Sequence, residues 1–257
     1  MIYMRNARLN EMEKVIAQAG TISMTELCDR FQVSMNTVRR DVAELKRRGE
    51  IEKVYGGVAV VEDARRVLRP FEERQQVAEM AKQAICRIGA GLLQDGDIIF
   101  VDSGTTMVHL ADYLANLQEL TIVTNNLALV QRAMPYENLR VVVLPGQLRR
   151  KTNSLTGMEA VSAIRRFNVQ KAFLASTGTT LEGVTNSSSE EYEIKRAALE
   201  CSREKILMLC HEKFGQAGLM TYGRFSDFDY IVTDQTPEKM YLEAIERSGA
   251  KLLIAQK

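Results

Sequence analysis

Ser34-Met35-Asn36-Thr37-Val38-Arg39-Arg40-Asp41-Val42-Ala43-Glu44-Leu45 reads as a helix with a definite start, one apolar stripe and a charged face. Ser34 carries a short hydroxyl that accepts from an unpaired first-turn N–H, which marks it as the N-cap. Val38, Val42 and Leu45 recur at helical spacing and predict the side that packs on a small core. Gly49, just past the last periodic residue, is expected as the C′ stop. Asn36, Thr37, Arg39, Arg40 and Arg47 then point away from the core. A helix that opens with Asn, Thr and Arg can present donors and acceptors to base edges and phosphates. Taken by itself, the same pattern is the solvated face of an ordinary amphipathic helix, the commoner meaning of a charge run.

The neighbouring segments decide between these readings. Leu9, Met12, Val15 and Ile16 form the stripe of an earlier helix that stops at Ala19-Gly20. Thr21-Ile22-Ser23 is a short extended link. Thr25 to Phe31 forms a second helix with Leu27 and Phe31 inward, and Gln32-Val33 turns tightly into the helix at Ser34. Two short helices, a tight turn and a third helix with a polar leading end make a helix-turn-helix. Downstream, Ile51-Glu52-Lys53-Val54 and Val58-Ala59-Val60-Val61 flank Tyr55-Gly56-Gly57, the spacing of a β-hairpin closed near Gly-Gly. A basic hairpin beside such a helix is a wing, and Lys53 and Tyr55 are placed to steady it on the DNA backbone or minor groove. Ser34, Asn36, Thr37, Arg39 and Arg40 complete the expected face toward double-stranded operator DNA, with the arginines on phosphate and bases and Asn36 and Thr37 near base edges.

At 257 residues the chain is long enough for one small and one sizeable domain. Its net charge of +1 excludes a protein coated in positive charge. The basic residues are local instead: Arg39, Arg40, Lys46, Arg47, Arg48 and Lys53, then Arg65, Arg66 and Arg69. Such a patch suffices for phosphate contacts whose affinity falls steeply with salt. Cys28, Cys86, Cys201 and Cys210 are scattered without a Cys-x-x-Cys pair, the pattern of reduced thiols rather than of a disulfide framework or zinc site. No signal peptide and no membrane-length apolar run is seen, so a cytoplasmic protein without membrane, metal or cofactor is expected.

Residues 1–61 therefore read as a winged helix-turn-helix, 62–76 as a charged linker interrupted by Pro70, and 77–257 as an α/β domain for effector binding and oligomerisation. Ala78, Ala81, Ile85, Ile88 and Leu92 mark an amphipathic helix ending near Asp95-Gly96. Strand-like runs follow at Ile98–Val101, Leu120–Thr124, Leu139–Leu144, Lys171–Ala175, Lys205–Leu209, Asp229–Thr233 and Lys251–Ile254. Between several of them lie helical patterns at Thr106–Leu114, Leu127–Ala133, Glu190–Glu200 and Pro237–Ser248. This alternation predicts a mostly parallel sheet.

In such sheets ligands bind beyond the carboxyl ends of the strands. The first strand runs into Asp102-Ser103-Gly104-Thr105-Thr106 at the start of a predicted helix, where glycine, hydroxyls and exposed N–H groups suit a phosphate or carboxylate. The Walker A lysine and spacing are missing, which argues against a nucleoside triphosphate. Simple helix capping accounts equally well for this loop alone. Yet Thr124-Asn125-Asn126, Pro145-Gly146 and Ser176-Thr177-Gly178-Thr179-Thr180 follow three further strands, and together they favour a phosphorylated, polyhydroxylated small molecule.

Thr37-Val38-Arg39-Arg40-Asp41, Tyr55-Gly56-Gly57, Asp102-Ser103-Gly104-Thr105-Thr106, Thr124-Asn125-Asn126 and Lys213-Phe214-Gly215 together resemble the DeoR family of bacterial transcriptional regulators, over essentially the whole chain. The resemblance implies a winged helix-turn-helix joined to a larger α/β sensor domain related to sugar-phosphate isomerases. It also implies a homo-oligomer, a homodimer or homotetramer, that represses a sugar-utilisation operon until a phosphorylated intermediate binds. Ile51-Glu52-Lys53-Val54-Tyr55, Ala175 to Thr180, Gly183 to Ser187 and Glu191-Tyr192-Glu193-Ile194-Lys195 are similar to the repressors of inositol catabolism operons. That branch implies a phosphorylated inositol breakdown product as inducer. Cys210 departs from the pattern, since most members carry Asp three residues before the lysine matching Lys213.

The expected effector site is Asp102, Ser103, Gly104, Thr105, Thr106, Thr124, Asn125, Gly178 and Lys213. Ser103–Thr106 would take the phosphate, and Asp102, itself anionic, would meet a sugar hydroxyl. Arg149-Arg150-Lys151 reads either as added charge there or as an exposed basic turn. The competing class is a sugar-phosphate isomerase-like enzyme. Related isomerases place an Asp-Glu pair near the strand end that here reads Thr177-Gly178, and neither of these can act as a general base. Glu191 reads either as an acid/base remnant or, the commoner place for a helix glutamate and the one expected, at the helix surface; His109 and His211 are expected in ordinary hydrogen bonds, and no catalytic set is assembled.

Overall fold

The computed structural model describes residues 8–9, 11–13, 15–16, 19, 21–47, 51–54, 57–60 and 69–255. Contacts divide the chain into two units, Met1–Val67 and Leu68–Lys257. In the first, strand β1 (Thr21–Ser23), helix α1 (Met24–Phe31), helix α2 (Met35–Arg47) and strands β2 (Ile51–Val54) and β3 (Gly57–Val60) follow one another. The Ser23 hydroxyl caps α1 by accepting from Glu26 N–H at 3.1 Å. Gln32 takes the left-handed conformation, φ 50°, that stops α1 and allows the tight turn. Ser34 Oγ accepts from Thr37 N–H at 3.3 Å, the N-cap contact expected of it.

Leu9, Met12, Val15, Ile16, Leu27, Val38, Val42, Leu45, Ile51 and Val58 close one small core. The link at Thr21–Ser23 is more than a connector, because it pairs antiparallel with β3 and makes a three-stranded sheet in the order β1-β3-β2. Gly57 is what lets it approach: a Cβ there would lie 2.2 Å from the Ile22 carbonyl oxygen. The turn of the wing, including Tyr55 and Gly56, and the helix stop at Gly49 lie outside the described residues.

The larger unit begins with helices α3 (Phe71–Gln76) and α4 (Glu79–Ala90). Thus the last part of the expected linker is a short helix whose Phe71 is buried with Val108 and Ala128. The charge of Glu72, Glu73 and Arg74 gave it the texture of a linker, while one buried aromatic anchors it. Strands β4 (Ile98–Val101), β5 (Leu120–Thr124), β6 (Leu139–Val143), β9 (Lys171–Leu174), β12 (Glu204–Met208), β14 (Tyr230–Thr233) and β15 (Lys251–Ile254) form one sheet, counting β7 (Gln147–Arg149), β8 (Ser154–Thr156), β10 (Gly178–Thr179), β11 (Val184–Asn186) and β13 (Met220–Gly223) as the smaller strands between them. Its order is β15-β14-β12-β9-β4-β5-β6 and every pairing is parallel.

Helices α5 (Leu127–Ala133), α6 (Met158–Ile164), α7 (Ser189–Cys201) and α8 (Lys239–Ser248) complete the layers. Phe100 faces a core with Ile164, Ile194, Ala198 and Ile245, whereas Ile99 and Val101 face the opposite core with Ile85, Leu110 and Leu129. Successive strand residues point to opposite faces, so both faces of the sheet are covered. From β4 the chain winds outward to β6, then returns to the other side of β4 at β9. That reversal is a topological switch point, and it puts the crevice at the ends of β4 and β9.

One predicted helix differs. Met107–Tyr113 is a 3-10 helix, with Met107 N–H bonded to the Gly104 carbonyl at 3.0 Å. Met107 to Ala111 are all buried, so the segment has no solvent face around which an amphipathic α-helix is organised. The Asp102–Thr106 loop therefore does not lead into the α-helix N-terminus on which its anion-binding expectation partly rested. Among the described residues, no helix is long and apolar enough to cross a membrane.

Candidate functional site

On α2, residues 36, 39 and 40 fall on one face by helical spacing, and all three are exposed, opposite the buried Val38, Val42 and Leu45. Thr37 is half-buried and its hydroxyl lies 3.0 Å from Ser34 Oγ. Asp41, on the inner side, is buried and accepts from Arg8 Nε at 2.8 Å, which ties α2 to the leading helical residues. Arg47 pairs with Glu44 at 2.7 Å. Lys53 is exposed on β2. Exposed Asn36, Arg39 and Arg40 form a short row of amide and guanidinium donors, the chemistry that bonds to phosphates and base edges.

The second site is built at the switch point. Gly104 permits the closeness of the two strand ends, because a Cβ on it would stand 2.3 Å from Ala175 Cβ. Asp102 is fully buried and its Oδ2 accepts from the Ala175 N–H at 3.0 Å and from Lys195 Nζ. Lys195 also donates to the Ala175 carbonyl at 2.9 Å and lies over the Tyr222 ring at 5.2 Å, while the Tyr222 hydroxyl donates to the same carbonyl at 2.8 Å. Asp102 thus supports the loop from below and is not open to a sugar hydroxyl. Thr124 is likewise enclosed, since its hydroxyl donates to the Val101 carbonyl at 2.5 Å and accepts from Asn126 N–H at 3.0 Å.

Asn126, part of the Thr124-Asn125-Asn126 motif but left out of the expected effector site, donates from Nδ2 to the Asp102 and Gly104 carbonyls at 3.1 and 3.3 Å, and its Oδ1 caps α5. Asn125 Nδ2 donates to the Leu155 carbonyl at 3.0 Å. These contacts pin the hairpin of β7 and β8 against the end of β5. Gly178 allows Gln216 to cross closely, as a Cβ there would be 2.3 Å from the Gln216 carbonyl oxygen. The segment after Lys213 is tied to the same place by Gly215 N–H bonded to the Thr179 carbonyl at 2.8 Å, and Lys213 keeps a partly exposed side chain.

Glu191 is the largest departure from expectation. It is 7% exposed, and one oxygen of its carboxylate accepts from Ser103 Oγ at 2.7 Å and from Ser154 Oγ at 3.0 Å. Ser188, the N-cap of α7, precedes it at the spacing of a capping box, which was the signal available in the sequence. Glu191 and Lys195 are four residues apart and share a helix face, and that face is turned to the crevice floor. Arg74 on α3 donates to the Lys151 carbonyl at 3.2 Å and to the Arg69 carbonyl at 2.9 Å. Burial lowers the Arg74 pKa, and the Glu191 carboxylate is the first of the charges that oppose this. Arg149 is paired with Glu190, so the basic turn is partly neutralised by its own neighbours.

Around these supports, Ser103, Thr105 and Thr106 are buried, and Asn125 Oδ1, Ser176 Oγ, Asn186 Oδ1 and Arg149 Nε are enclosed without a hydrogen-bond partner. Enclosed polar atoms normally have partners, and each such deficit costs on the order of 1–3 kcal/mol. These four lie on or just beyond β5, β7, β9 and β11. His211 meets Asp234 at 2.8 Å, as ordinary hydrogen bonding predicts, whereas both ring nitrogens of His109 lack a partner. Among the described residues no group of three or more His, Cys, Asp or Glu could hold a metal ion.

Two family models match this chain: the DeoR-like helix-turn-helix domain over residues 8–64, and the DeoR C terminal sensor domain over residues 77–235. The HTH-type transcriptional regulator IolR of Bacillus subtilis (strain 168) is 40% identical over 241 residues, covering 93% of this chain and 95% of that protein. The Glycerol-3-phosphate regulon repressor of Escherichia coli (strain K12) is 30% identical over 239 residues, covering 93% and 94%. Among solved structures, a D-ribose-5-phosphate isomerase in complex with phospho-erythronic acid is similar at a TM-score of 0.41 and 9% identity, over 54% of this chain and 55% of that one.

Proposed function

The chain belongs to the DeoR family of DNA-binding transcriptional regulators, and on that premise we propose a repressor that holds operator DNA through α2 and the wing. A phosphorylated, hydroxyl-rich metabolite entering the crevice at β4 and β9 releases it. Ser34, Asn36, Thr37, Arg39, Arg40, Lys53 and Tyr55 form the DNA face. Ser103, Gly104, Thr105, Thr106, Asn125, Gly178 and Lys213 surround the effector, with Asp102 and Thr124 holding the loops beneath it. The observation that carries the second half is the set of unpartnered polar atoms on Asn125, Ser176, Asn186 and Arg149 around the switch point. Similarity to inositol-operon repressors in the wing and after β9 makes an inositol breakdown product the first effector to try.

The working form is a cytoplasmic homodimer or homotetramer without catalytic activity. Two carboxylates at the crevice support the last point: Asp102 is bound to Lys195, and Glu191 to Ser103 and Ser154. Sugar-phosphate isomerase turnover at enzyme-like rates would overturn it. The main test is a pair of opposite variants in the full-length protein. Arg40→Ala should abolish operator binding in a mobility-shift titration while leaving effector binding by calorimetry intact. Thr105→Trp should do the reverse. Retained operator affinity in the first variant sinks the DNA-face assignment, and retained effector affinity in the second sinks the crevice.

A further inference from the structure

Ser103 lies in the loop proposed above to receive the anionic group of the effector, and its hydroxyl is already engaged. It donates at 2.7 Å to a Glu191 oxygen that also accepts from Ser154 at 3.0 Å, and Ser154 is in turn 2.8 Å from the Thr152 hydroxyl. A hydroxyl has one proton to give, so Ser103 cannot serve Glu191 and an arriving phosphate at once. The carboxylate is 7% exposed, so like-charge repulsion between it and a phosphate in the crevice is only weakly screened.

We infer that Glu191 is an internal anion that occupies the Ser103 hydroxyl in the empty site and determines which effectors enter. This rests on the crevice being the effector site. A bare phosphate must take the Ser103 proton from Glu191 and leaves that carboxylate with Ser154 as its remaining hydroxyl donor, beside a second negative charge. A phosphate monoester that also carries free hydroxyl groups can do better, because a hydroxyl of the ligand donates to Glu191 in place of Ser103. Glu191 is therefore a specificity-determining residue: it selects hydroxylated phosphate esters over inorganic phosphate. A second consequence follows from the shared oxygen. When Glu191 turns to the ligand, Ser154 on the β7–β8 hairpin loses its acceptor, and Thr152, bonded to Ser154 and not to Glu191, responds only through it, so the same residue that selects the ligand also senses it.

Calorimetric titration of the full-length chain with inorganic phosphate and with glucose 6-phosphate, on wild type and Glu191→Gln, tests this. Removing the charge should raise affinity for inorganic phosphate about tenfold and change that for glucose 6-phosphate less, so preference for the ester falls by a similar factor. A residue that merely props the fold would lower both affinities together. Glu191→Asp keeps the charge but withdraws it by one methylene from Ser103, so it serves if the glutamine variant is unstable, and preference should fall in it too. Preference unchanged or increased in the variants, with the wild type binding glucose 6-phosphate, overturns the role of Glu191 alone. Binding of neither probe by wild type or variant, with operator binding intact, overturns this inference, whereas the effector site on which it rests is overturned separately, by effector affinity retained in Thr105→Trp.

Discussion

At the scale of single residues, the crevice floor is an ion pair that no local pattern announces. Asp102 and Lys195 are 93 residues apart, and only the return of the chain from β6 to β9, followed by α7, brings them together. Asp102 stood out in the sequence because it begins a glycine-containing loop, whereas Lys195 resembled any other helix lysine. For the same reason the hydroxyls of Ser103 and Thr105 were legible as candidate ligands, and Glu191, which engages one of them, was expected at the surface. A buried pair has a testable energetic signature. Removing one partner leaves an uncompensated charge, so Lys195→Met should destabilise the larger unit by about 3–5 kcal/mol, while the double variant with Asp102→Asn should recover much of that loss. Urea denaturation of the four forms gives the coupling, and strictly additive losses would show that the two side chains do not act as a pair.

At the scale of elements, long and strongly apolar segments were readable and short ones were not. β4, β5 and β15 have the bounds that their apolar runs predict, and α5 spans the predicted residues. By contrast β10, β11 and β13 contain only two to four residues with Gly, Thr and Asn among them, too little alternation to signal a sheet. The helix α3 was hidden in the same way by its charge. Its C-terminal carbonyls, of Arg74 and Gln75, accept from buried Lys82 Nζ, which fastens α3 to α4. Burial, helped by Lys213 and Arg74, lowers the Lys82 pKa to about 8 against the opposing effect of the Glu212 carboxylate.

Because this lies below the ordinary lysine value of 10.5, the native chain sheds between pH 8 and 10.5 a proton that the unfolded chain keeps. The cost is fully present below pH 8, and unfolding free energy should rise with pH through that window. Denaturant titrations across it should show the slope, and Lys82→Met should remove it. Cys210 bears on this directly, since burial pushes its thiol up to about 12 and leaves it neutral across that window. Cys210→Asp should therefore return Lys82 toward its ordinary range and flatten the same slope. A slope that persists in both variants would assign it to other groups.

At the scale of the whole molecule, the two units carry two chemistries, one of exposed amide and guanidinium donors on α2 and one of enclosed polar atoms at the strand ends. The change in texture after residue 61 led to the expectation of a linker to residue 76, whereas contacts begin the larger unit at Leu68. Regulation requires the effector to favour the DNA-incompetent arrangement, and linkage then makes the effect reciprocal: operator DNA must weaken the effector by the same factor by which the effector weakens DNA. Typical couplings are on the order of 5–150-fold. The segment from Arg69 is where such coupling would enter, because Arg74 holds both the Arg69 carbonyl and the Lys151 carbonyl at the hairpin turn. Arg74→Met, in the full-length protein, should leave operator affinity without effector and effector affinity without operator each within about threefold of wild type, while bringing the coupling factor toward one. Operator titrations by fluorescence anisotropy at zero and saturating effector, repeated in the opposite order, measure that factor twice. Full coupling in the variant would show that the signal leaves the crevice by another route, and loss of effector binding itself would make Arg74 part of the site rather than the link from it.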